Sequence, residues 1–370
     1  VLSKLWLEAL LLYQAALRGL NWAEVLEGKP SQDWPGIRGG ISMAGFEGAQ
    51  QIIVNPSWTY AGGELHHRVE VSREGGFPQA CFESLRFESE ALRKSQVLYD
   101  VTKDAALSGT ARVSIASRGQ GKREVQELPA FGYLGRQIRP ASRIRDEVWD
   151  ALQFIHSRAE SWLFLEPVPA LMRNYCFEGH QMLGSNGENL SAILYQLSQN
   201  GKGPDLFDWL QELIGEDLAG IDFERDGMQQ VRFSLIERKG QRIPARAVSD
   251  GTLRFLAILC ALLGQPEQSL VLMEEIDMGL HPSRLQTLSE FLVQMTSSGK
   301  RQIIATTHSP QLLAALPRER LLDVVLCAKN PYTQGTVARR LRDQPDFEEI
   351  LQRRPIEYLL TTQWLERALA

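Results

Sequence analysis

The residues best placed by type and spacing to do chemistry lie in the last third of the chain. Ser269-Leu270-Val271-Leu272-Met273 is an apolar run that ends in adjacent acids, Glu274 and Glu275. At a strand end, one carboxylate can hold magnesium, which wants few carboxylates and several waters, and the other can orient an attacking water. The same pair also reads as a strand ending in solvated acids. Gln302-Ile303-Ile304-Ala305-Thr306 is a second short strand, expected to be buried, and it leads into Thr307-His308-Ser309-Pro310. A histidine there alone reads as a structural side chain, but its placement at the same sheet edge as Glu275 makes it a candidate for chemistry. Val248-Ser249-Asp250-Gly251-Thr252 opens a long apolar helix. Free N–H groups and the helix dipole make such a turn an anion site, and it is equally an ordinary N-cap.

These groups need elements to hold them. The spacing predicts an apolar helix over 251–263, a proline-led helix over 282–295, a helix capped by Ser309, and a strand over 322–326. Short apolar strands alternating with helices imply a mainly parallel sheet covered on both faces, with chemistry at the carboxyl ends of its strands. Upstream, helical spacing runs from Leu2 to Leu17 and stops at Gly19. From about Gly40 to Ser117 the period becomes two. Strands are expected over 52–54, 65–71, 82–87 and 113–116, punctuated by Gly62-Gly63 and Gly75-Gly76. Helices follow over 146–156, 190–197 and 205–214, with a short strand at 161–165. Hairpin turns fall at Arg225-Asp226-Gly227 and Lys239-Gly240.

Composition narrows the class. The chain has 370 residues, 44% hydrophobic and 23% charged, an ordinary globular balance that calls for more than one packed lobe. The net charge of −5 gives no global basic field for nucleic acid. Arg136, Arg139, Arg143 and Arg145 form the best local basic cluster, read as a solvated loop or as a phosphate-backbone contact. The longest apolar run, 255–263, is far short of the roughly 20 residues of a membrane span. Glu8 interrupts the first apolar run, which lacks a basic leader. Cys81, Cys176, Cys260 and Cys327 have no metal-ligand spacing and read as buried thiols. His66 and His67 fall on opposite faces of one strand and are not expected to share a metal.

Together, and in this order, the Ser249 turn, the acidic pair and His308 resemble the second half of an ABC-class ATPase head of the chromosome-maintenance and RecF type. More closely, they resemble bacterial AAA-family ATPases related to the overcoming-lysogenisation-defect proteins. The turn Gly184-Ser185-Asn186-Gly187-Glu188-Asn189 and the segment Trp364-Leu365-Glu366 also look like that group. The resemblance covers about residues 184–370. It implies an α/β fold: an ABC-type head with a mixed or parallel sheet, flanking helices and an antiparallel β-rich lobe. It divides the chain into 1–135 (first helix and β-rich part), 136–245 (helical and hairpin insertion) and 246–370 (signature, Walker B and switch-histidine lobe).

The resemblance also implies roles. Ser249, Asp250, Gly251 and Thr252 would be the signature turn, binding nucleotide on the partner subunit. Glu274 would be the metal-holding Walker B acid, where many such proteins carry aspartate. Glu275 would orient water, and His308 would be the switch histidine. ATP and Mg2+ are the implied cofactors. The implied partners are a second copy around sandwiched nucleotide and a separate effector, with DNA left open and no membrane. The implied setting is cytoplasmic, in DNA repair or in anti-phage and plasmid defence. One part is missing. The pairs Gly28-Lys29, Gly121-Lys122, Gly201-Lys202 and Gly299-Lys300 are not followed by Ser or Thr, so the sequence holds no Walker A loop. The expectation is that a segment carrying that loop precedes Val1. The alternative is a non-hydrolysing ABC-shaped scaffold or DNA-binding module that has lost it.

Overall fold

The computed structural model describes residues 4–29, 36, 50–72, 77–91, 93–102, 109–119, 121–140, 143–329 and 336–362. Residues 2–3, Gly75-Gly76 and Trp364-Leu365-Glu366 therefore lie outside the described residues. Two compact units are present, one spanning 8–160 and the other 161–370 together with 1–7.

The first unit is built on an antiparallel sheet. Its helices are α1 (Lys4–Leu17, entered from the other unit), α2 (Trp22–Glu27), α3 (Leu134–Gln137) and α4 (Asp146–Glu160). Its strands are β1 (Gln51–Val54), β2 (Ser57–Tyr60), β3 (Gly63–Ser72), β4 (Gln79–Ser89), β5 (Lys94–Val101), β6 (Thr110–Ala116) and β7 (Arg123–Pro129). Among the described residues they pair in the order β1-β3-β4-β5-β6-β7, with β2 also on β3. Alternation sets the buried face: Leu65, His67, Val69 and Val71 are buried on β3, whereas His66 is only half-buried and reaches Ser57 Oγ.

A buried carboxylate lies among these strands. Glu83 accepts hydrogen bonds from Leu134 N at 2.9 Å, Gly135 N at 2.8 Å and the Tyr99 hydroxyl at 2.8 Å. Three donors replace the water that burial removes from this side chain. His67 bridges two hydroxyls, with Tyr13 at 2.5 Å on Nδ1 and Tyr99 at 3.2 Å on Nε2. Burial pushes the Tyr13, Tyr99 and Tyr133 hydroxyls above their usual range, keeping them protonated.

The arginine cluster is partly spent on structure. Arg136 donates to Leu17 O at 2.6 Å and Arg145 to Ser117 O at 2.9 Å, while Arg139 and Arg143 are exposed.

The second unit begins with β8 (Leu163–Leu165), α5 (Pro169–Met172), β9 (Cys176–Phe177), α6 (Leu190–Gln199), α7 (Gly203–Ile214), β10 (Leu218–Arg225), β11 (Gln230–Glu237) and β12 (Arg242–Pro244). It continues with α8 (Asp250–Gly264), β13 (Leu270–Met273), α9 (Leu285–Thr296), β14 (Gln302–Ala305), α10 (Pro310–Ala315), α11 (Arg318–Leu321), β15 (Val325–Lys329), β16 (Thr336–Arg340), α12 (Phe347–Arg353) and α13 (Ile356–Thr361). A parallel sheet runs β14-β13-β8, and β9 to β12 form an antiparallel sheet. Both hairpin turns fall where the sequence puts them.

Helix α8 is the spine of the core. Leu253 and every residue from Phe255 to Leu263 are buried in one cluster with β13, α6 and α9. Phe291 of α9 lies 6.1 Å from Phe255 and 5.1 Å from Trp209, ring centre to ring centre. Each such fully buried aromatic contributes roughly 1.5–3 kcal/mol relative to exposure. The mixed α/β fold agrees with the class read from the sequence.

Three expectations about elements are corrected. Strand β14 is not buried: among the described residues it borders only β13, and Ile304 is 43% exposed. The expected strand at 322–326 is displaced to β15, which pairs antiparallel with β16 and not with the parallel sheet. The proline-led helix starts as a 3-10 turn, Pro282–Arg284, capped by the His281 side chain, which accepts from Ser283 N, before α9 begins.

Candidate functional site

The apolar strand β13 is central in its sheet and wholly buried, so its carboxyl end is a fixed point. Glu274 and Glu275 follow it directly and are both half-buried. The neighbouring strand β14 delivers Thr306, Thr307 and the exposed His308 to the same sheet end.

The two strand ends are joined at the backbone and through side chains. Thr306 N donates to Met273 O at 3.0 Å and Ile276 N donates to Thr306 O at 3.0 Å. Glu275 N donates to Thr306 Oγ1 at 2.9 Å. One residue further on, Thr307 Oγ1 donates to Asp277 Oδ1 at 2.5 Å, and Ser309 N donates to Thr307 Oγ1 at 3.0 Å. Ser309 in turn caps α10 by accepting from Leu312 N at 3.2 Å. The acidic loop and the histidine loop are therefore one hydrogen-bonded unit.

The turn at Ser249 reaches the same loop. Gly251 lies so close to Gly279 that a Cβ on Gly251 would stand 2.3 Å from the Gly279 carbonyl oxygen. Ser249 Oγ accepts from Thr252 N at 3.2 Å, which is an ordinary N-cap. Asp250 is exposed and paired with Arg173, whose guanidinium lies 2.6 Å from Asp250 Oδ1 and 2.8 Å from Val248 O. All three segments singled out in the sequence thus meet in one unit.

The turn Gly184–Asn189 is a structural clasp. Asn189 is buried, accepts from Gly184 N at 2.8 Å and donates to Met182 O at 2.9 Å. Ser185 O and Asn186 O receive Glu166 N and Val168 N, tying this turn to the segment after β8.

Sequence reasoning missed the roles of Thr306, Thr307 and Arg173, and it placed Asp277 only in the region after the acidic pair. Threonines at a strand end give no pattern of their own, and only the register of β13 against β14 sets what their hydroxyls meet. The donor set at the end of β13 fits magnesium, since carboxylate oxygens at one strand end are its usual protein ligands. Among the described residues, no three His, Cys, Asp or Glu side chains converge into a fuller metal cage. Among the same residues, no helix is long and apolar enough to cross a membrane.

A short parallel sheet thus carries an acidic pair at one strand end and a histidine at the next, backed by a buried helix. Residues 126–314 match the family model described as "AAA domain, putative AbiEii toxin, Type IV TA system", and the chain belongs to that AAA-domain family. No curated protein matches the chain. Solved structures with some likeness include the SMC head domain from Thermotoga maritima, 12% identical over 76% of this chain and 74% of that one, TM-score 0.30. Another is the Smc head from Pyrococcus furiosus bound to the C-terminal domain of ScpA, 10% identical over 79% and 81%, TM-score 0.34.

Proposed function

We propose that the protein is an ATP-binding and hydrolysing head that dimerises around nucleotide and drives a conformational switch in a separate effector. The observation that carries this reading is the joining of Glu275, Thr306, Asp277 and Thr307 at one sheet end, in a chain of an AAA-domain family. In this reading Glu274 holds magnesium, Glu275 orients the attacking water and His308 meets the γ-phosphate. Ser249, Asp250, Gly251 and Thr252 close the site from the partner subunit. Magnesium, when bound, neutralises charge on the phosphoryl oxygens. The family description, with its toxin–antitoxin association, favours anti-phage or plasmid defence over repair as the setting, in the cytoplasm.

In this reading none of the Gly-Lys pairs is the cradle for the β-phosphate, because none continues into Ser or Thr.

The test is MgATP turnover by the native protein with and without Glu275→Gln. Loss of the positioned carboxylate should slow hydrolysis by roughly 10²-fold or more while binding is kept. Unchanged turnover would leave Glu275 a strand-end acid. The missing cradle also favours a second reading, a non-hydrolysing scaffold. Absence of MgATP turnover in the native protein, with a dimer still formed, would select that scaffold.

A further inference from the structure

The hydrogen bonds at the end of β13 depart from a regular parallel ladder by one residue. In such a ladder a residue bonds the two residues that flank its partner, so Thr306 should take Met273 O with its N–H and the N–H of residue 275 with its carbonyl. The first bond is present, but the carbonyl receives Ile276 N instead. Glu275 is therefore an extra residue, a bulge placed on the second acid. Its backbone has φ 47°, in the left-handed region, where a glutamate pays about 1–2 kcal/mol. The N–H displaced from the ladder is taken up by Thr306 Oγ1 at 2.9 Å. Buried amides need such a partner, and Thr306 is itself buried.

The bulge has a consequence for the two acids. Consecutive residues of a regular strand point to opposite faces, so an unbulged pair would send one carboxylate away from the other's side of the sheet. An inserted left-handed residue turns the chain and re-aims the side chain it carries. We infer that Thr306 is a positioning residue for Glu275: its hydroxyl holds the bulge that sets the direction of the Glu275 carboxylate. Thr306 acts through the Glu275 backbone and touches no reacting atom. Asp277 and Thr307 brace the far side of the same loop. This inference rests on the proposed role of Glu275 in hydrolysis.

The experiment compares Thr306→Val, which keeps the shape and removes the acceptor, with Thr306→Ser, which restores it. Two readouts are taken on the native protein. Amide exchange at Glu275, followed by NMR without nucleotide, should speed up by about tenfold or more in Thr306→Val and return towards wild type in Thr306→Ser. The kcat for MgATP should fall roughly 10- to 10²-fold in Thr306→Val with the KM for ATP unchanged, and Thr306→Ser should recover most of it. A merely structural role would lower the melting temperature and raise KM without this split. If Glu275→Gln abolishes turnover while Thr306→Val leaves kcat intact, the positioning role is wrong and the functional reading stands. If Glu275→Gln leaves turnover unchanged, the functional reading fails by itself. In that case Thr306 is still tested by exchange, and an unaltered Glu275 amide in Thr306→Val overturns the hold on the bulge.

Discussion

Gly251 and Gly279 meet backbone to backbone: a Cβ added to Gly251 would stand 2.3 Å from the Gly279 carbonyl oxygen and 3.2 Å from its carbon. The contact joins the first turn of α8 to the loop that follows the acidic pair. Neither side can yield by turning a side chain, so any substituent must push one backbone away from the other. Gly251→Ala should therefore destabilise the protein by about 1–3 kcal/mol, the usual scale of overpacking. Gly227 has nothing within 4 Å of a Cβ, and Gly227→Ala serves as the control, expected to change stability by about 0.5 kcal/mol or less. Urea unfolding of both variants decides the matter. Equal midpoints would mean that the two loops part freely.

What the sequence disclosed here follows from the physics of each signal. Glu274, Glu275 and His308 stood out because apolar strands ending in polar residues are legible without knowing their neighbours. Helix α8 was legible because an apolar run of its length has few other outcomes. The bulge at Glu275 was not, since it exists only in the pairing of β13 with Thr306. Ile303-Ile304 reads alike in a central and an edge strand, so the exposure of β14 was hidden. Strand β7 escaped because its polar, charged residues, Arg123–Pro129, carry little apolar alternation, and β2, Ser57–Tyr60, because four residues are too short a run to establish a period. Arg136 and Arg145 looked like surface charge because a carbonyl partner such as Leu17 O lies far away along the chain. Glu83 gave no sign that it would be buried, for its three donors come from β5 and the start of α3.

His156 gives the first unit a dependence on acid. Burial, and then the nearby Arg136 charge, hold this imidazole below its ordinary value of 6.5, with Glu160 and Glu83 pulling weakly the other way and His67 adding to the fall. The folded chain therefore resists taking up a proton that the unfolded chain accepts at about 6.5. The sign follows: stability from this group is present above that pH and declines as pH falls through it. Glu147, held low first by its hydrogen bond from Lys94, adds its own loss only at more acidic pH, below the ordinary carboxylate value of 4.5. Urea midpoints should thus drop between about pH 7 and pH 5 in the wild type. His156→Gln, neutral at every pH, should flatten that part of the profile and leave the carboxylate part. An identical slope in both proteins would assign the acid sensitivity elsewhere.

Placement of the Ser249 turn on the partner's nucleotide is testable by mixing. Ser249 and Asp250 are exposed, and the Ser249 hydroxyl is spent on its own cap at Thr252 N. The acids and His308 come from other strand ends of the same unit, so a head that supplies both to one nucleotide would need no second copy. In a nucleotide sandwich, each site draws its acids from one subunit and its turn from the other. Ser249→Arg puts a bulky cation into the turn and should block closure, while the buried apolar face of α8 keeps the helix folded. Glu275→Gln closes but does not hydrolyse. Each variant alone should show little MgATP turnover. In a mixed dimer both lesions can fall on one composite site, which leaves the other site whole. Mixing equal amounts of the two inactive native proteins should then return activity, up to about a quarter of wild type if subunits exchange at random and the sites fire independently. Sedimentation should find dimers in the mixture with MgATP present. No recovery on mixing, with dimers formed, would place turn and acids on the same nucleotide within one chain. Full activity of Ser249→Arg alone would reduce the turn to a helix cap.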